Sequence, residues 1–195
     1  MAILKSFSLF GIFLSSMLAT TLLFGCQSPE QQAKERTETM KKFAVMVTKH
    51  LLDRDPESIS ESTTFLRGQE LTDDCIAKLA KQEVIPNAGL DILKEKALAE
   101  EEKRRNVVEV LSVDPLIPID KSTTPFKISG KNTIKIEGKP DKVIPFSLTM
   151  HCTLTPEMQG YPRCSDVIGL THEDIYGQAT EPKFKSTKTK KRRGH

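Results

Sequence analysis

The chain has 195 residues, a formal charge of +3, four cysteines, no tryptophan and only 6% aromatic residues. That length suits one domain with a real core plus tails, and the shortage of aromatics weakens any case for a sugar-stacking site. The modest charge hides an asymmetry. Residues 181–195 hold Lys183, Lys185, Lys188, Lys190, Lys191, Arg192 and Arg193 against Glu181 alone, so the body is mildly acidic and the tail strongly basic.

The first 26 residues have the three parts of an export signal. Met1 to Ser6 carries Lys5 as its one charged side chain, Phe7 to Leu22 is apolar, and the segment closes on Leu23-Phe24-Gly25-Cys26. This stretch resembles the lipobox of bacterial lipoproteins. The resemblance implies cleavage between Gly25 and Cys26, a diacylglyceryl group on the Cys26 sulfur, and acylation (palmitate) of the freed amine. One acyl chain holds a protein only marginally, whereas two or three hold it stably, at ~0.8 kcal/mol per buried CH2. The alternative is an uncleaved transmembrane anchor, for which the apolar run is short. Either way the body is tethered to a membrane outside the cytoplasm. Gln27 rather than Asp after the cysteine implies, in a Gram-negative host, release to the outer membrane, facing the periplasm.

The expected organisation is a signal peptide over 1–25, a tether over 26–39, one α+β domain over 40–180 and a disordered basic tail over 181–195. Ser28-Pro29-Glu30-Gln31 reads as a helix start, with Ser28 as N-cap and Pro29 at the first helical position. The following residues to about Arg36 are polar all round and read equally as a mobile tether. From Met40 the pattern sharpens. Met40, Phe43, Ala44, Val47 and Leu51 fall on one helical stripe, from which Lys41, Lys42 and Lys49 are excluded. Packing against the domain's own sheet is the expected use of that stripe.

Asp55-Pro56-Glu57-Ser58 stops this helix, and Ser60 to Gly68 reads as a polar connection around Phe65 and Leu66. Thr72 then caps a second helix to about Gln82, with Ile76, Leu79 and Ala80 inward. Cys75 lies in its first turn, where a thiolate is favoured; a half-buried structural cysteine is the ordinary alternative. Pro86-Asn87-Ala88-Gly89 is a turn. A third helix follows from about Leu90 to Arg105, with Leu90, Leu93 and Ala97 on one face and Glu100–Arg104 and Glu101–Arg105 as supporting pairs.

The period then changes. Val107 to Val113 is β-branched and extended. Phe126 to Ser129 and Thr133 to Glu137 read as short strands, separated by a hairpin-like turn at Gly130-Lys131-Asn132, with another turn at Gly138-Lys139-Pro140-Asp141. In the clearest strand, Phe146, Leu148, Met150, Cys152 and Leu154 alternate with Ser147, Thr149, His151, Thr153 and Thr155, giving one dry and one wet face. Pro156 to Pro162 is a loop, Cys164 to Leu170 returns, and Thr171 to Thr180 holds a weak helical turn. The expected fold class is therefore α+β: N-terminal helices followed by an antiparallel sheet of four to five strands.

With Cys26 lipidated, three cysteines remain. A symmetric hairpin puts Cys152 opposite Cys164, and a disulfide is expected there, worth roughly 3 kcal/mol in the chain-entropy model. Pairing of Cys152 with Cys75 is the alternative, since counting cannot settle connectivity. Motifs for hydrolytic, phosphate-binding or redox chemistry are missing, so no catalytic residue and no cofactor is expected. His50, His151 and His172 lack metal-ligand spacing, and His172-Glu173-Asp174 do not converge in helix or strand. The basic tail can bind anionic lipid headgroups or acidic cell-wall polymers, at about 1 kcal/mol per charge; its alternative is a solvating tail. Nucleic acid is not an expected partner for an exported chain. The expected function is a non-catalytic binding or assembly module with a protein partner in the envelope, accessory to a secretion or envelope complex. The alternative is an envelope hydrolase with a site assembled from scattered residues. A binder requires an apolar patch or free sheet edge, an enzyme a pocket with converging polar groups.

Overall fold

The computed structural model describes residues 28–87, 89–155 and 161–177. Gly25, Cys26, the leader, the 156–160 loop and the basic tail from Lys183 to Arg193 lie outside the described residues. Contacts divide the chain into two units, 1–36 and 37–195. In the first, helix α1 (Pro29–Leu52) begins on a reciprocal cap. The Gln31 N–H donates to Ser28 Oγ at 3.3 Å, and the Ser28 N–H donates to Gln31 Oε1 at 3.1 Å. Two of the orphan donors at the helix start are thereby satisfied.

The second unit is an α+β fold. The remaining elements are α2 (Ile59–Phe65), a π-helical turn (Leu66–Glu70), α3 (Asp73–Lys81), α4 (Gly89–Glu101), β1 (Arg105–Pro115), β2 (Thr123–Lys135), β3 (Lys142–Thr153), β4 (Arg163–Ile168) and α5 (His172–Tyr176). The strands form one antiparallel sheet in the order β1-β2-β3-β4. Met40, Phe43, Ala44, Val47 and Leu51 of α1 are all buried and share a core with Phe126 and Ile128 of β2 and Phe146, Leu148, Met150 and Cys152 of β3. The helical stripe and the dry face of β3 therefore meet, as their periods required. Among the described residues no helix is long and apolar enough to cross a membrane.

Three readings of the sequence are corrected. The first concerns Gly130, which lies in the middle of β2, opposite Val110 on one side and Phe146 on the other. No turn interrupts the strand there. A Cβ at Gly130 would stand 2.2 Å from the Glu109 carbonyl oxygen and 2.6 Å from Phe146 Cζ. The glycine makes room for a ring and a neighbouring backbone, a use that looks the same as a turn in sequence.

The second concerns Ser60 to Gly68, which is helical. Thr63 and Thr64 donate their hydroxyls to the carbonyls of Ile59 and Ser60, both at 2.8 Å, so polar side chains are satisfied along the helix itself. The third concerns α4, which ends at Glu101, with Leu90 and Leu93 turned to solvent and Ala99 buried. Arg104 and Arg105 leave the helix and pair with Glu102 and Glu57 instead.

The thiols also depart from expectation. Cys152 and Cys164 are opposed in the register, beside a bulge between His151 and Cys152. Yet no disulfide joins the described cysteines. The Cys164 thiol donates to the Asp166 carbonyl at 3.3 Å and has Cys75 of α3 as its neighbour. A bulge rotates the local backbone, so facing Cα positions do not guarantee facing sulfurs.

Candidate binding groove along the first strand

A sheet of four strands has two edges, and this fold treats them differently. At β4, Leu71 forms a parallel bridge with Cys164, and the Thr72 N–H donates to the Cys164 carbonyl at 3.0 Å. That edge is capped by the chain's own segment before α3. At β1, no described strand or bridge pairs the outer edge. Its outward N–H and C=O groups are a template for another extended chain.

A groove of about 580 Å³ runs along this edge, lined by all seven residues Val107 to Val113, with Val45 and Lys49 of α1 as the opposite wall. A strand face would contribute alternate residues only; seven in succession mean that the backbone edge itself is presented. The groove's neighbour, of about 310 Å³, adds Met46, His50, Asp53 and Asn106. Val107 and Leu111 are 53% and 56% exposed, and Met46 is 40% exposed. Further along the same hairpin Ile117 is 89% exposed. Large apolar side chains left in water around an open edge are the uncommon observation; singly they would mean little.

β1 is also irregular in one place. Val110 pairs with Gly130 and Ser112 with Ser129, so Leu111 is the extra residue of a bulge. The bulge shifts the phase of the strand. Val108 and Val110 pack toward the core before it, Val113 after it, and Ser112 joins Ser129 on the outer face with hydroxyls 2.8 Å apart. The regular stretch available for pairing is therefore Val107 to Val110, since the Asn106 N–H is already given to Asp55.

The polar end of the groove is tied down internally. Ser62 is buried and donates its hydroxyl to Asp53 Oδ2 at 2.5 Å, so its oxygen accepts from His50 Nδ1–H at 3.0 Å. The His50 ring also lies 4.3 Å from Phe65. These are the residue types of a hydrolase, but in the wrong order. A nucleophilic serine must give its proton to the histidine, whereas Ser62 gives it to the carboxylate and is shielded from solvent. The Asn106 amide donates to the Leu52 carbonyl at 3.1 Å and to Asn132 Oδ1 at 3.3 Å, and its N–H donates to Asp55. Burial raises the Asp55 carboxyl above its ordinary value, against the Asn106 N–H, which lowers it. This network sets the start of β1 against the end of α1.

The other histidines and cysteines are dispersed. His151 stands on the outer face of β3 opposite Asp166. His172 stacks on Tyr176 at 4.3 Å, while Asp174 is committed to the capping box of Thr171. No group of metal-holding side chains occurs among the described residues. The sequence did carry a sign of the edge. Val107, Val108, Val110, Leu111 and Val113 are apolar in both phases of the strand, unlike the clean alternation of β3. The chain matches no protein-family model and no curated protein sequence.

Proposed function

We propose that this protein is a membrane-anchored envelope lipoprotein, held by lipid on Cys26, whose domain is a non-catalytic binding or assembly module for a protein partner. The partner supplies an extended segment that pairs with β1 between Val107 and Val110, as an added strand. Its backbone supplies the hydrogen bonds, and its alternate apolar side chains meet Val107 and Leu111. The observation that carries this reading is the run of seven consecutive β1 residues lining an open groove beside α1. The lipid-anchor resemblance at Leu23-Phe24-Gly25-Cys26 supports a place at the envelope, where the module would be accessory to a secretion or envelope complex. The basic residues from Lys183 to Arg193 would add attraction to anionic lipid or cell-wall polymer, at about 1 kcal/mol per charge near a surface.

A photoreactive residue placed at Leu111 in intact cells tests the groove. The expected result is one adduct of defined mass, lost when Val107→Lys is added, because charge on an edge strand blocks pairing. Undiminished adduct with Val107→Lys, or an equal yield from a probe at the outer-face residue Ser147, would sink the reading. The anchor is tested separately by metabolic labelling with a fatty acid analogue. The wild type should be labelled and Cys26→Ser should not.

A further inference from the structure

Two elements far apart in sequence are fastened at one point. Cys75 lies in the first turn of α3, where its N–H donates to the Thr72 cap at 3.4 Å. The residue just before that helix, Thr72, donates its own N–H to the Cys164 carbonyl, and Leu71 bridges to Cys164. One helical turn on, Lys78 Nζ meets Asp166 Oδ1 at 2.5 Å. Between these two fastenings the side chains of Cys75 and Cys164 are neighbours, both buried in the core and close enough to perturb each other's ionisation. The backbone at both cysteines is thus held in register by contacts that involve neither sulfur, which is the preorganisation a crosslink needs.

We infer that Cys75 and Cys164 are the disulfide partners of this protein, joining α3 to β4, and that Cys152 stays a thiol. The chemistry separates the three. The neighbouring Cys164 side chain lowers the Cys75 thiol, which also sits at a helix start, so Cys75 is the attacking thiolate. Burial pushes up both other thiols, Cys152 to about 12 and Cys164 well above its ordinary value, and of the two only Cys164 is fastened beside Cys75 through Leu71 and Thr72. The oxidant is a disulfide of a small thiol or of an oxidoreductase. The Cys75 thiolate attacks one of its sulfurs, the oxidant's S–S bond breaks, and one reduced thiol leaves after taking up a proton. Cys164, giving up its proton, then attacks the Cys75 sulfur of the mixed disulfide and releases the second thiol. Two protein thiols are oxidised and one external disulfide is reduced. Because both sulfurs are covered in the folded core, the exchange belongs to late folding, after α3 has docked on β4 and before the core closes over the pair.

The three cysteines fall in three separate tryptic peptides, since Arg67, Lys78, Lys142 and Arg163 lie between and around them. The test uses the full chain carrying Cys26→Ser, denatured, reduced, and refolded in a mixture of oxidised and reduced glutathione. It is then blocked with an alkylating agent and digested without reduction. The expected product links the Cys75 and Cys164 peptides, with Cys152 alkylated. Thermal unfolding of this oxidised form should lie about 9–18 °C above that of the reduced form, the shift that the chain-entropy model gives for so long a loop. Cys152→Ala should keep the link and the shift, and Cys75→Ala should lose both. A Cys152–Cys164 or Cys75–Cys152 peptide, or three alkylated thiols, overturns the assignment. The outcome is independent of any partner at β1.

Discussion

Replacing Arg54 with alanine is expected to destabilise the domain by about 3–5 kcal/mol, read as a fall in the urea midpoint at pH 7. Arg54 is 1% exposed and is the most thoroughly buried charge among the described residues. Its Nε donates to Tyr176 Oη at 2.9 Å, Nη1 to the Asp53 carbonyl and Nη2 to the Val84 carbonyl, both at 2.5 Å. Glu95 Oε1 stands 2.8 Å from Nε. The guanidinium therefore ties the end of α1, the segment after α3, the middle of α4 and α5 into one knot. Truncation leaves the largely covered Glu95 carboxylate without its counter-charge, and the buried Val84 and part-buried Asp53 carbonyls without their donor, which is the expensive way to break such a set.

The pH dependence carries its own sign. Burial raises the Glu95 carboxyl above its ordinary value, with Arg54 opposing that shift. The folded state thus binds this proton more tightly than the unfolded chain does. Its penalty is absent below the ordinary carboxyl range and grows as pH rises through that range toward the elevated folded value. Urea midpoints taken from pH 4 to pH 7 should fall across that window for the wild type, relative to Glu95→Gln. The double variant Arg54→Ala with Glu95→Gln should recover part of the loss seen in Arg54→Ala, because no carboxylate is then stranded.

Gly130→Ala is the second large effect, expected at about 3 kcal/mol, the upper end of overpacking. The new methyl would overlap the Glu109 carbonyl oxygen at 2.2 Å as well as the Phe146 ring. A ring can turn aside; a carbonyl held in the β1–β2 ladder cannot move without opening the sheet. This separates the two contributions. Phe146→Ala alone leaves a cavity at a position 4% exposed, at about 3–5 kcal/mol. Combined with Gly130→Ala it should not restore stability, since the backbone collision persists. Recovery in the double variant would mean that the ring alone dictates glycine at this position. Both effects are readable by urea denaturation.

The stripe of α1, the alternation of β3 and the Thr72 cap were legible because each is a local pattern whose period or spacing is written in neighbouring residues. The cap is met directly, with Thr72 Oγ1 accepting from the Cys75 N–H. Arg54 was not legible. An arginine beside Asp53 and Asp55 reads as a solvated charge, and its burial depends on Glu95 and Tyr176 arriving from elsewhere. Gly130 was misread for the same reason, since Phe146 and Glu109 reach it only once the strands are side by side. The groove lay between these cases. Apolar residues in both phases of Val107 to Val113 were visible, but not that β1 would be left at an edge.

By itself the chain's local chemistry determined the α+β class, the inward faces of α1 and β3 and the anchor resemblance at Cys26, because hydrophobic period and short motifs act over a few residues. Only the tertiary structure decided which thiol Cys164 faces, which strand edge is left open and which arginine is buried. Those outcomes depend on which distant segments meet, and contacts across long loops leave no mark in the sequence between them.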